Sequence, residues 1–515
     1  MVITILGASG NMGECVTKLL LEEEYIDKVK ILGHHKKSSE KLLKSCQKYI
    51  DKIEIVYGSL SDIQMVSKVI DGADYVINMA AVIPPLSDKN PHAAIEVNEK
   101  GAAVLAEAIS SIKTNQPKLI HISTMGIYGD RNCKHPFGEV GDPLLISPFD
   151  IYAMTKMRGE FTILESEIEE WVVLRQTAVL YKDLMMKNIS DGLMFHTCFN
   201  SPLEWCTAED SAVLIRNIIR RDKANELNEE NFWKHCFNIG GGEKNRVTGF
   251  ETLDLGFKII GASTYDFFDT NYNSSRNFHG VWFSDGYKLE ELFHYQKIGI
   301  EDFWQDVLNN HKYFKLARIL PKKMLKSLVI KRLLKDSNAP YFWYNHNDEA
   351  RLIAYFGGKD KFDSIPTEWK NFKLTCRGEK NDGSTLDYDN LRKKVTRLNH
   401  YFDIDKSPKE VTITDLQNVA KAHGGKLITE SFTTGDVYTK VEWETQDGER
   451  FFAKPFTILY CGHWMNISYK EYIWDFDRLA KKDEIYKEIW YDSHESDENI
   501  CYYFDKNFEA KFKKF

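Results

Sequence analysis

The sequence predicts an α/β fold: a doubly wound parallel sheet with a small cap, followed by a C-terminal α+β domain. Three observations carry this. Up to about residue 310, short apolar runs alternate with amphipathic stretches, the pattern of βαβ units. The runs are continuously apolar, which requires both faces of the sheet to be covered. A glycine-rich turn, Gly7 to Gly13, follows the first run directly.

Val2–Leu6 reads as the first strand, and the chain then turns into a helix through about Glu24. Val29–Leu32, Ile53–Tyr57 and Tyr75–Met79 are the next strands. Glu96–Ile112 is helical, Leu119–Ser123 is a strand, Ser147–Glu169 holds a long helix, and Val172–Gln176 closes the series. The character then changes. Between Lys312 and Lys335 stand nine Lys or Arg residues and no Asp or Glu, interleaved with Met324, Val329 and Ile330 and interrupted by Pro321. This stretch fits a linker and helix whose basic face is solvated or packs on the acidic remainder, or a helix that meets a membrane surface or an anionic ligand. Arg377–Thr385 reads as a loop. A helix starts near Thr412, with Thr414 as its N-cap and Asp415 in its first turn, and ends at Gly424–Gly425. Val437–Thr445 and Arg450–Leu459 pair as a hairpin. The expected organisation is a first domain over 1–310, a basic helical connector over 311–400, and an α+β domain over 401–515.

The 515 residues include 76 acidic and 68 basic side chains, a net charge of −8. That excess argues against binding nucleic acid, whose phosphates require basic surface. No run approaches the ~18 apolar residues of a membrane-spanning helix, and MVITILGASG is a strand and turn rather than a signal peptide. Nine cysteines are scattered without a Cys-x-x-Cys pair, so free thiols in a reducing, cytoplasmic setting are expected. Only Cys461 and His463 lie close together, and no metal site is expected.

Gly7-Ala8-Ser9-Gly10-Asn11-Met12-Gly13 sits between a strand and a helix, where a pyrophosphate rests on a helix N-terminus. Tyr152-Ala153-Met154-Thr155-Lys156 spaces a phenol and an ammonium one helical turn apart. An ammonium there favours phenolate, so Tyr152 is expected to have a lowered pKa and to exchange a proton with substrate. His121-Ile122-Ser123-Thr124-Met125-Gly126-Ile127-Tyr128-Gly129 ends a strand in hydroxyls.

Together these segments resemble the extended short-chain dehydrogenase/reductases, the epimerase/dehydratase-like branch, over about residues 1–310. Asn78-Met79-Ala80-Ala81, Val97-Asn98 with Gly101, Trp205–Ala212 with Asp210, and Phe237-Asn238-Ile239-Gly240-Gly241-Gly242 line up with it in order. The resemblance implies a Rossmann-like core with a substrate cap over about 180–205 and 240–300. It assigns Thr124, with Ser123 as fallback, Tyr152 and Lys156 to catalysis. It assigns Gly7, Ser9, Gly10, Asn11, Met12, Gly13, His34, His35, Lys36, Ser59, Leu60, Met79, Ala80, Ala81, Asn98, Tyr152 and Lys156 to a dinucleotide.

Departures from the family pattern shape the expected function. Gly33 stands where NAD-using relatives carry a carboxylate, and His34-His35-Lys36-Lys37 follow, so NADP is favoured over NAD. Ser59 replaces the adenine-contacting Asp, and Asp62 comes three residues late. Ala178 and Met125-Gly126 replace residues of sugar-nucleotide epimerases and dehydratases. The expectation is therefore a nicotinamide-dependent carbonyl reductase or alcohol dehydrogenase (EC 1.1.1.-). Leu184, Met185, Met186, Leu193, Met194, Phe195 and Phe199 point to a small hydrophobic substrate, or else form the cap's own core. A nucleotide-sugar epimerase or dehydratase with tightly bound NAD is the alternative, and an NADP-binding sensor or scaffold is another. A homo-oligomer is left open.

Overall fold

The computed structural model describes residues 1–184, 191–227, 232–311, 314, 317–374, 397–464 and 473–503. Seven strands form one parallel sheet: Val2–Leu6 (β1), Lys28–Gly33 (β2), Ile53–Tyr57 (β3), Tyr75–Asn78 (β4), Lys118–Thr124 (β5), Trp171–Gln176 (β6) and His235–Ile239 (β7). Their spatial order is β7-β6-β5-β4-β1-β2-β3. The order reverses between β1 and β4, and such a switch point opens a crevice beyond the carboxyl ends of those strands.

Helices cover both faces, as continuously apolar strands require. Val16 and Leu20 of Asn11–Leu21 (α1) pack with Ile215 and Ile219 of Ala208–Lys223 on one face. On the other, Val66 of Ile63–Ile70 (α2), Leu105 of Gly101–Ser110 (α3) and Met157 of Ile151–Leu164 (α4) share a core. That second core continues without a break into the C-terminal third, through Trp343, Trp443, Trp464, Trp474 and Trp490. No helix among the described residues is long and apolar enough to cross a membrane.

Several local expectations are corrected. Val172–Gln176 is not the last strand of the sheet, because His235–Ile239 adds a seventh alongside it. The helix expected over Ser147–Glu169 is shorter: Asp150 caps it by accepting from Ala153 N at 2.8 Å, and Phe149 before it has φ +66°. In the C-terminal region Thr412, not Thr414, is the N-cap, in a reciprocal capping box with Asp415. The hairpin is confined to Val441–Glu444 and Arg450–Ala453. Pro455 cannot donate to a ladder and instead opens the helix Pro455–Leu459.

The cap's apolar residues pack on one another. Phe195 and Phe199 are buried with Phe250, Phe257, Phe268, Tyr272, Ile330 and Leu333, and Leu184 belongs to the main core. These side chains are the cap's interior, so the sequence argument for a hydrophobic substrate loses its basis. Met185, Met186 and the loop at 377–385 lie outside the described residues.

Candidate active site

The glycine turn is shaped by two close approaches. Gly7 has φ +87°, and a Cβ there would stand 2.6 Å from Ala80 N, at the end of the neighbouring strand. A Cβ on Gly13 would meet Gly7 O at 2.2 Å. Gly10, by contrast, is exposed together with Ser9 and Asn11, and it caps α1 with no side chain. The first-turn N–H groups of an eleven-residue helix therefore face the crevice uncovered. That arrangement fits a pyrophosphate.

Met79 and Ala80 line the opposite strand end: Met79 N donates to Leu6 O at 2.9 Å and Ala80 N to Asn78 Oδ1 at 3.2 Å. Ala81 is exposed beside them. Asn98 is buried and fully committed. It accepts from Val82 N at 2.8 Å and donates to Val82 O and Thr155 Oγ1, each at 3.0 Å. It thus ties the loop beyond β4 to the Tyr-Lys helix rather than offering a free amide to a ligand.

At the end of β2, His34, His35 and Lys36 are all exposed, and His35 precedes the helix Lys36–Ser45. Gly33 is buried, and a Cβ there would lie 2.9 Å from Ile55 Cγ2 and 3.1 Å from Tyr57 Cε1. Its lack of a side chain is thus a packing requirement as well as the loss of a carboxylate. Ser59 Oγ pairs with Ser61 Oγ at 2.9 Å, and Leu60 is buried against Gly101. Asp62 caps α2 through Gln64 N and Met65 N, so its carboxylate is already used.

Thr124, Tyr152 and Lys156 converge at the end of β5. Thr124 is buried and accepts from Gly126 N at 3.1 Å, and the phenol of half-buried Tyr152 lies close enough for Thr124 to ease its ionisation. Burial pushes the Tyr152 phenol up to about 12, the Thr124 contact pulls it back, and Asp150 adds to the rise. Lys156 is buried, donates to Ile122 O at 2.6 Å, and is brought down to about 8 by burial against the pull of Glu160. The expectation of a lowered Tyr152 pKa is thus corrected. The ammonium is turned to the Ile122 carbonyl, and burial of the phenol is what sets the direction of its shift. Ser123 is buried with no hydrogen-bond partner, one residue back and hence on the other face of the strand.

Around this centre lie groups that the sequence reading missed. Glu160, one turn after Lys156, pairs with Arg175 Nη2 at 2.7 Å and with His463 Nε2 at 3.0 Å. Arg175 also donates to Cys461 O at 2.6 Å and Tyr128 Oη at 2.7 Å. Asp150 pairs with His279 Nδ1 at 2.8 Å. Only the Asp150 cap had a sequence signal, an Asp three residues before the helix's first buried alanine. Asp210, by its family position, accepts from Lys297 N and Ile298 N and serves the scaffold.

Glu139, Asp142 and His400 place ligand-type atoms within 4.8 Å of one another. Arg131 lies 3.1 Å from Asp142 and Arg397 3.1 Å from Glu139, so guanidiniums already balance these carboxylates. A cavity of about 460 Å³ lies between the cap and the C-terminal region, bordered by Asp130, Arg131, Asn273, Arg276 and Glu498 and by Cys198, Phe199, Phe356, Ile365 and Phe372.

Residues 3–173 match the protein-family model of the NAD dependent epimerase/dehydratase family. A curated relative, dTDP-4-dehydrorhamnose reductase of Mycolicibacterium smegmatis, is 32% identical over 124 residues. The match spans 24% of this chain and 36% of the relative, so it covers about a third of that protein's length. Among solved structures, UDP-glucuronic acid 4-epimerase from Bacillus cereus is 20% identical with TM-score 0.46, covering 61% of this chain and 99% of its own. dTDP-glucose 4,6-dehydratase from Bacillus anthracis, solved with NAD, gives 17% and 0.48, covering 62% and 99%. The family match ends at residue 173 and leaves residues 174–515 outside it.

Proposed function

We propose that the protein is a nicotinamide-dinucleotide-dependent oxidoreductase acting on a carbonyl or alcohol. One observation carries the reading: the Thr124–Tyr152 hydroxyl pair stands at the end of β5, in the sheet whose switch point holds the uncovered helix N-terminus at Gly10. The bound dinucleotide would supply or accept a hydride. Gly7, Gly10, Asn11, Met12 and Gly13 hold its pyrophosphate in this reading, with Ser9, Ser59, Leu60, Met79, Ala80 and Ala81 along the crevice. Tyr152 gives its proton to the substrate oxygen, which Thr124 orients. A phenol pushed up to about 12 is protonated at neutral pH and suited to act as the acid of a carbonyl reduction. Lys156 keeps a cation beneath the crevice.

The exposed His34, His35 and Lys36 favour a 2′-phosphate, and hence NADPH over NADH. The cap's apolar residues are spent internally, so they supply no argument for a hydrophobic substrate. The relative named dTDP-4-dehydrorhamnose reductase agrees with a carbonyl as the group reduced. Epimerase or dehydratase chemistry is less well served. Met125, at the position of a dehydratase acid, is buried with its sulfur accepting from Thr177 Oγ1. Following dinucleotide absorbance against a panel of sugar-derived and simple ketones tests the reading. Redox-neutral conversion of a nucleotide sugar with no net change in dinucleotide would replace it with the epimerase alternative.

A further inference from the structure

The basic stretch after residue 310 is not used by the active site, and its packing says what it faces. The helical segment 322–333 is held from within: Ile330, Leu333 and Leu334 are buried against the cap's aromatic cluster. Two lysines pin it, Lys322 to Asp266 at 2.7 Å and Lys326 to Asp269 at 2.8 Å. The segment therefore has a fixed inner face and a fixed outer face.

The outer face is unusual in two ways at once. Ile319, Leu320, Met324 and Leu328 are 78%, 43%, 39% and 62% exposed, four large apolar side chains within ten residues. Met324 and Leu328 lie about one helical turn apart, and Ile319 and Leu320 stand just before the helix begins at Lys322, so the four make an apolar ridge along this segment. Around the ridge stand Arg318, Lys323, Lys331, Arg332 and Lys335, all exposed and, among the described residues, without a carboxylate partner. A merely solvated helix has no reason to keep leucine and methionine outward, and a linker would not be pinned.

We propose that this face docks the protein peripherally on an anionic lipid surface. The apolar ridge would enter the headgroup boundary, and the flanking cations would meet lipid phosphates. Charge complementarity selects this occupant. The chain as a whole carries −8, yet the stretch 312–335 holds nine cations and no acid. Against a second copy of itself, the same face would set like charges opposite one another in a two-fold dimer.

The test uses the full chain in co-sedimentation with vesicles of phosphatidylcholine, with and without phosphatidylglycerol. Binding is expected only to the anionic vesicles, and raised salt should release it. The double variant Met324→Glu/Leu328→Glu should bind at least about tenfold more weakly, as should Lys323→Glu/Lys331→Glu. All four positions are exposed, so circular dichroism should show each variant folded. Three outcomes overturn the proposal: no wild-type binding to anionic vesicles, equal binding by both folded variants, or a self-association broken by Leu328→Glu without any vesicle binding. Because ketone reduction is assayed without vesicles, failure here leaves the enzymatic reading untouched, and the reverse also holds.

Discussion

His463 Nε2 stands 3.0 Å from Oε1 of Glu160, joining the C-terminal third to the helix that carries Tyr152 and Lys156. Glu160 is fully buried, and the Arg175 guanidinium with the His463 hydrogen bond keeps its carboxyl well below the ordinary range. Replacing Arg175 by Met leaves a buried carboxylate short of its main cation. The expected cost is about 3–5 kcal/mol, read as a fall in the urea midpoint at pH 7. His463→Gln keeps a hydrogen-bond donor and should cost much less. Equal, small effects from both would show that the Glu160 cluster is not held by charge.

The acid role of Tyr152 has its own test. Tyr152→Phe removes the hydroxyl that meets Thr124 and leaves the ring. Turnover should fall by the ~10²–10⁴-fold typical of a lost general acid, with dinucleotide binding little changed. Thr124→Val should lower turnover as well, since the oxygen it orients loses a partner. Wild-type turnover in Tyr152→Phe would remove the phenol from the mechanism.

Dinucleotide preference rests on the exposed cluster after β2. The double variant His35→Ala/Lys36→Ala should weaken NADPH roughly tenfold, the size of one lost charge-assisted hydrogen bond, and leave NADH unchanged. Fluorescence titration of both coenzymes checks it, and tighter NADH binding by the wild type would reverse the assignment. Gly33→Asp, the obvious switch from the sequence, is not a clean probe. Its Cβ would press on Ile55 and Tyr57, so it should lose stability whatever it does to preference.

Much of the core was legible because local patterns and tertiary packing agree there. Val2–Leu6, Ile53–Tyr57 and Tyr75–Asn78 are predominantly apolar and emerge as strands with those bounds or within a residue of them. The grouping of Thr124, Tyr152 and Lys156 was read from the family resemblance, since the spacing of Tyr152 and Lys156 alone gives only a shared helix face. What the sequence hid depends on contacts far apart in the chain. His235–Ile239 joins the sheet across more than fifty residues, and His463 reaches Glu160 across about three hundred. The Tyr152 pKa also ran opposite to expectation, because spacing reveals neither that the Lys156 ammonium turns to Ile122 O nor that the phenol is buried.

Asp130 offers a pH test of the seam beside the cavity. Burial pushes its carboxyl up to about 7, against the backbone N–H of Asn277 and the charge of Arg276. In the unfolded chain an Asp titrates near about 3.9. Between those values the folded protein binds more protons than the unfolded one, so this group makes stability fall as pH rises from about 4 to about 7. Asp130→Asn keeps an acceptor for Asn277 and cannot ionise. The variant should therefore gain on the wild type through that window and hold a constant advantage above it, measured by urea unfolding at several pH values. A difference that stays flat from pH 4 to 8 would mean Asp130 is ionised in the folded state.

Truncation after residue 310 tests whether the C-terminal third is a tethered module or part of the core. Its removal takes Cys461 O from Arg175 and His463 from Glu160, and leaves Glu165 without the Lys454 N–H and Thr457 hydroxyl that it accepts. It also bares Phe149, whose ring meets Tyr355, Trp474 and Tyr502 immediately before the Tyr152 helix. The glycine turn and the crevice strands all precede residue 240, so their local geometry does not require the missing part. A buried ion cluster opened to water on one side, together with the apolar surface left by five buried tryptophans, should nevertheless make the fragment aggregate or unfold well below the full chain. Size-exclusion chromatography and thermal unfolding of the fragment decide it. A monodisperse fragment with the full chain's melting temperature would show that the shared core contributes nothing to the first domain, and the junction at Glu160 would then be a contact without consequence.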